Sequence, residues 1–91
     1  MSSSVQHVPQ ASRFQLEQDG AVALLEYQLQ DGELHITHTA VPVALRDRGL
    51  AAALTRAALA YAQAQGLKVV PACAYAAGFL HRHPEYAGLR A

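Results

Sequence analysis

Tryptophan is absent from this 91-residue chain, cysteine and methionine each occur once, and aromatic residues make up only 7% of it. The core must therefore be assembled from alanine, leucine and valine. A single cysteine, Cys73, excludes an internal disulfide and, with no signal-like N-terminus, points to a reducing cytoplasm. Neither sign of charge is in excess: seven Lys plus Arg balance seven Asp plus Glu. Phosphate-dominated binding normally leaves a basic excess, so a nucleic-acid partner is disfavoured. No apolar run approaches the roughly 20 residues that cross a bilayer, which leaves no expected membrane partner.

Hydrophobic residues nevertheless account for 52% of the chain, enough for one globular domain and too short a chain for two. Residues 1 to 11, including the polar stretch "MSSSVQHVPQ", read as a flexible tail. The domain is expected over 12 to 91. Phe14 and Leu16 alternate with Arg13, Gln15 and Glu17, the period of a strand with one wet face. Asp19-Gly20 and Asp31-Gly32 are hairpin dipeptides, and they separate this strand from Ala23/Leu25/Tyr27/Leu29 and that one from "ELHITHTAV". Val22 and Leu24 suggest that the second strand is covered on both sides at its start.

In the third strand Leu34, Ile36 and His38 share the presumed inner face, which makes His38 an interior or cleft histidine. His35, Thr37 and Thr39 line the other face. Pro42, lacking an N–H, ends the pairing. An alanine-rich helix is expected from about Arg46 to Gln65, with Gly66 beyond its end. "LKVVPAC" reads as a fourth strand, able to run parallel to the third because a helix separates them. "YAAGFLHR" reads as a second helix that Pro84 stops.

The handover from strand to helix, "VPVALRDRGLAAAL", lacks the serine or threonine cap that would start an ordinary helix. A first turn with free N–H groups and a glycine beside it is a ready anion site. Within it "RDRGLA", residues 46 to 51, resembles the Arg/Gln-x-x-Gly-x-Gly/Ala signature of the GNAT acetyltransferases, in the strand–loop–helix setting that family requires. "VVPACAY" followed by "HPEY" is similar to its short stand-alone members, so that the resemblance covers roughly residues 12 to 88.

The resemblance implies an α/β (α+β) fold in which an antiparallel meander and a parallel strand pair splay around acetyl-CoA, with two helices. It implies that Val41 and Val43 offer backbone groups to pantetheine, while Arg46, Asp47, Arg48, Gly49, Leu50 and Ala51 wrap the pyrophosphate. Acetyl would pass to an amine, on a small molecule or a protein lysine. The competing reading is a CoA-binding or interaction module without turnover. Monomer and homodimer both remain open.

Cys73 lies where the strand should line the acetyl group, either as a nucleophile, as a polar contact, or as a packed small hydrophobe. A reactive thiol needs a nearby cation or helix N-terminus, and the second helix begins just after it. His81 falls near the position at which related enzymes carry a tyrosine that reprotonates the leaving thiolate. Histidine can exchange protons near neutral pH, although a solvated surface role is the simpler reading. Tyr75 lies a turn or more earlier and Tyr86 beyond Pro84. His35/His38 and His81/His83 have the wrong spacing for a metal, and no metal site is expected.

Overall fold

The computed structural model describes residues 4–91. Its strands are β1 (Gln6–Val8), β2 (Arg13–Gln18), β3 (Ala21–Gln30), β4 (Glu33–Ala40) and β5 (Lys68–Pro71); its α-helices are α1 (Leu50–Ala64) and α2 (Ala74–Arg82). The strands form one sheet in the order β1-β2-β3-β4-β5, antiparallel except for the parallel pair β4–β5. This is the α/β arrangement of a meander followed by a helical crossover. Asp19, Gly20, Asp31 and Gly32 all have positive φ, as the tight two-residue hairpins of β2–β3 and β3–β4 require.

Two boundaries and one burial differ from expectation. The polar tail is ordered from Gln6: β1 pairs with β2, and His7 stacks on Phe14 at 4.2 Å between ring centroids. Residues 1–3 of the expected tail lie outside the described residues. Val22 is exposed rather than covered on both sides. Helix α1 starts at Leu50, four residues after Arg46, because Asp47 and Gly49 both adopt positive φ and hold the chain out of the helical region.

Both helices lie on one face of the sheet. Phe14, Leu16, Ala23, Leu25, Tyr27, Leu34, Ile36 and Val69 send their side chains to that face and are buried. They meet Leu50, Leu54, Ala58, Leu59 and Ala62 of α1 and Ala76, Phe79 and Leu80 of α2. Thr55 is the buried polar residue of this layer; its hydroxyl donates to the Ala51 carbonyl at 2.8 Å, which removes the cost of burying it. Among the described residues no helix covers the opposite face and none is long and apolar enough to cross a membrane.

Strand β4 carries a bulge. Tyr27 pairs with Ile36, but the next residue back, Glu26, pairs with His38, so Thr37 is an extra residue. The bulge reverses the alternation: His38 turns to the bare face opposite Glu26 and is exposed, while Thr39 joins Leu25 on the helix face. The interior or cleft position expected for His38 is thereby corrected. Parallel pairing also ends there, at Ile36–Pro71; Pro71 has no N–H, and the N–H groups of Ala72 and Cys73 both donate to the Ile36 carbonyl, at 3.0 and 3.1 Å. Beyond this point β4 has no neighbour on the β5 side.

At the opposite sheet edge, His7 hydrogen-bonds the Tyr27 hydroxyl and contacts Tyr61. Burial lowers the His7 pKa from its ordinary value of 6.5. Burial, and then the nearby Tyr61 hydroxyl, raise that of Tyr27. Because folding disfavours charged His7, its docking is fully stable above pH 6.5 and weakens as the pH falls through the lower folded-state value. Amide exchange at residues 6–8 should accelerate several-fold between about pH 7 and pH 5 beyond the intrinsic pH effect, and His7→Phe should remove the excess. An exchange profile identical in the two proteins would contradict this account.

Candidate functional site

Where β4 loses its neighbour, a cleft of about 340 Å³ opens between the strand end, the 46–49 loop and the first turns of both helices. Val41, Leu45, Arg46, Asp47, Gly49, Leu50, Ala51, Ala52 and Tyr75 line it. A short 3-10 turn, Val43–Leu45, sets the loop's entry, and Leu45 anchors it by complete burial in the core. The exit is set by Gly49, which caps α1 at φ 73° with no side-chain hydrogen bond to the helix. Ala53 N–H makes the first intrahelical bond, to the Gly49 carbonyl, at 3.0 Å. The N–H groups of Leu50, Ala51 and Ala52 precede that bond and carry the positive end of the helix dipole.

Space and backbone conformation both bear on Gly49. A Cβ built there meets nothing within 4 Å, so the protein itself leaves that space open, and the positive φ adds a backbone reason for glycine. Six of the eight residues expected to contact a cofactor line the cleft: Val41, Arg46, Asp47, Gly49, Leu50 and Ala51. The other two do not. Val43 is 77% exposed, and its carbonyl accepts from Arg46 N–H within the 3-10 turn. Arg48 reaches across to the β2–β3 hairpin, donating to Gln18 Oε1 and Asp19 Oδ2, each at 2.7 Å.

Arg48 therefore has a structural contact instead of a free guanidinium. Exposed ion pairs of this kind contribute about 0.2–1 kcal/mol. Arg48→Ala should lower stability by no more than that in chemical denaturation. Arg46→Ala should weaken binding of a phosphate-bearing ligand more than Arg48→Ala does; calorimetry ranking them the other way would show that Arg48 leaves its hairpin on binding.

Cys73 is half-buried and forms the N-cap of α2, its sulfur accepting from Ala76 N–H at 3.4 Å. Across the splay, Thr39 Oγ1 lies 3.7 Å from the same sulfur, a contact that exists because the bulge turned Thr39 inward. The thiol thus sits at a helix start beside the point where the sheet opens. His81 is exposed in the last turn of α2, about two turns from Cys73, and is not among the residues lining the cleft. The structure does not bring these two together.

Tyr75, in the first turn of α2, does line the cleft. The family pattern places the acid further along the helix, at His81, with Tyr75 a turn or more too early; the local signal for Tyr75 is Cys73, since a residue two beyond an N-cap stays near the helix mouth. Among the described residues no group of three His, Cys, Asp or Glu side chains is arranged to hold a metal.

The comparisons with known proteins converge on one fold. A candidate N-acetyltransferase from Staphylococcus aureus, described as GCN5-like and solved by NMR, superposes with a TM-score of 0.78 at 24% identity, covering 97% of this chain and 87% of its own. A comparison with curated proteins gives no match. The family described as GCN5-related N-acetyl-transferase matches residues 13–89, and with the splayed β4–β5 pair and its cleft already in view, this chain belongs to that family.

Proposed function

We propose that the protein binds acetyl-CoA in the cleft at the start of α1 and transfers the acetyl group to an amine. The supporting observation is the conjunction at Gly49: an uncapped helix N-terminus, open space above the glycine, and a cleft with mostly small or apolar walls. In this reading the diphosphate meets the N–H groups of residues 49 to 51, with Arg46 beside it. The pantetheine arm runs past Val41 toward the gap beyond Ile36, where the backbone of β4 has no partner on the β5 side.

Transfer needs the amine nitrogen to attack the thioester carbonyl carbon. A C–N bond forms, the C–S bond breaks, and the CoA thiolate takes up one proton while the amine gives one up. Placement supplies most of what this reaction asks of a protein. Tyr75 is the phenol available in the cleft to return a proton to sulfur. Cys73, at the same opening, serves either as a contact or as a transient acetyl carrier. His81 is given no part because of its distance along α2.

Calorimetric titration with acetyl-CoA, followed by CoA release in the presence of a panel of amines, tests the reading. Absence of acetyl-CoA binding would overturn it; binding without amine-dependent CoA release would leave a cofactor-binding module instead of a transferase.

A further inference from the structure

The bare face of the sheet carries a second depression, about 270 Å³, beside the bulge in β4. Ala11, Ser12, Glu26, Tyr27, Gln28 and Thr37 line it. Its chemistry is unlike that of the cleft. It contains no lysine or arginine, and its wall offers a carboxylate, two hydroxyls and a side-chain amide. The Thr37 hydroxyl donates to the Glu26 carbonyl at 3.3 Å, which leaves its oxygen free to accept.

The Glu26 carboxylate is half-buried and, among the described residues, makes no hydrogen bond or ion pair. Its two cross-strand neighbours do not satisfy it: Arg13 turns its Nε to Gln15 at 3.0 Å, and His38 makes no bond to it. A half-buried carboxylate with no cation within ion-pair distance favours a ligand that brings one. An ammonium group has three N–H donors in a compact head, and this pocket supplies several acceptors around one negative charge.

Position adds to chemistry. Thr37 is in this pocket, and two residues further on Thr39 touches Cys73 Sγ on the other face. The Ile36 carbonyl, which accepts from Cys73 N–H, directly precedes Thr37 in the chain. Beyond Ile36 strand β4 keeps β3 as a neighbour but loses β5, so the pocket borders the strand at which the sheet opens. We propose that this pocket is the acceptor's entry site, and that Glu26 captures a primary ammonium group, with Thr37 and Gln28 as further acceptors. The inference rests on the acetyl-transfer reading for its purpose, but its binding test does not.

NMR titration of the full chain with n-butylammonium chloride, against matched potassium chloride and neutral n-butanol, should shift the amides of Ser12, Glu26, Gln28 and Thr37 selectively. Affinity should fall about tenfold in Glu26→Gln, the loss expected of one charge-assisted bond. Thr37→Val, which keeps the shape, should give a smaller loss. With acetyl-CoA present, Glu26→Gln should raise the amine KM by a similar factor and leave acetyl-CoA affinity unchanged. A lysine-containing peptide in parallel with butylamine distinguishes a side-chain acceptor from a free amine. Shifts that persist in Glu26→Gln, match those of butanol, or lie elsewhere would overturn the proposal. Loss of acetyl-CoA binding by the native chain would instead count against the transferase reading.

Discussion

Gly49→Glu should reduce acetyl-CoA affinity at least a hundredfold while leaving a folded protein. A hundredfold corresponds to about 2.8 kcal/mol, more than the dipole of one exposed helix supplies, so several donors must be lost together. The substitution acts twice. A Cβ and carboxylate would project into the open space above Gly49, where the diphosphate is expected, and would replace attraction by repulsion between like charges. The φ of 73° is also unfavourable for glutamate, at about 1 kcal/mol or somewhat more. Gly49→Asn separates the two contributions, since asparagine tolerates that conformation and is neutral. It should bind better than the glutamate variant. Calorimetry giving native affinity in a folded Gly49→Glu protein would remove the diphosphate from this helix start.

If Cys73 carries acetyl, incubation with acetyl-CoA will add one acetyl group to the intact mass, and Cys73→Ala will abolish that adduct and transfer together. The geometry sets the contrast. The sulfur caps α2 through Ala76 N–H and meets Thr39 across the opening, so it belongs to both the fold and the gap. Cys73→Ser retains an N-cap acceptor and should preserve the stability that alanine loses, about 0.5–2 kcal/mol for a cap. A covalent route predicts that serine restores the fold without restoring native rates. Direct transfer predicts no adduct and near-native rates in Cys73→Ser. Native transfer by Cys73→Ala would exclude the covalent route.

Much of the sheet and most of the cleft were legible from local chemistry. Asp19-Gly20 and Asp31-Gly32 fix two turns, and fixed turns set the register of the strands they join. The absence of a serine or threonine cap, together with Gly49, points to an open helix mouth in this stretch, although composition alone starts the helix at Arg46 instead of Leu50. What escaped depended on contacts remote in the chain. Nothing in "THTA" announces an extra residue, so period-two counting carried His38 to the wrong face. The order of β1 comes from stacking of His7 on Phe14 and its edge-on contact with Tyr61, which no local pattern encodes. The Arg48 side chain meets Gln18 and Asp19, 30 and 29 positions away, a contact that no local pattern encodes.

The strand order along the sheet is also the order along the chain. Each antiparallel pairing joins segments that a short connection already holds close, whereas β4 and β5 meet only after the chain has spanned the 15-residue α1. Closing a longer loop costs more entropy, and the β4–β5 ladder runs for only four residue pairs before it stops. The cleft therefore occupies the seam that no turn fastens. Parting two strands there disrupts no hairpin, so the fold opens a binding gap at the place where opening costs it least.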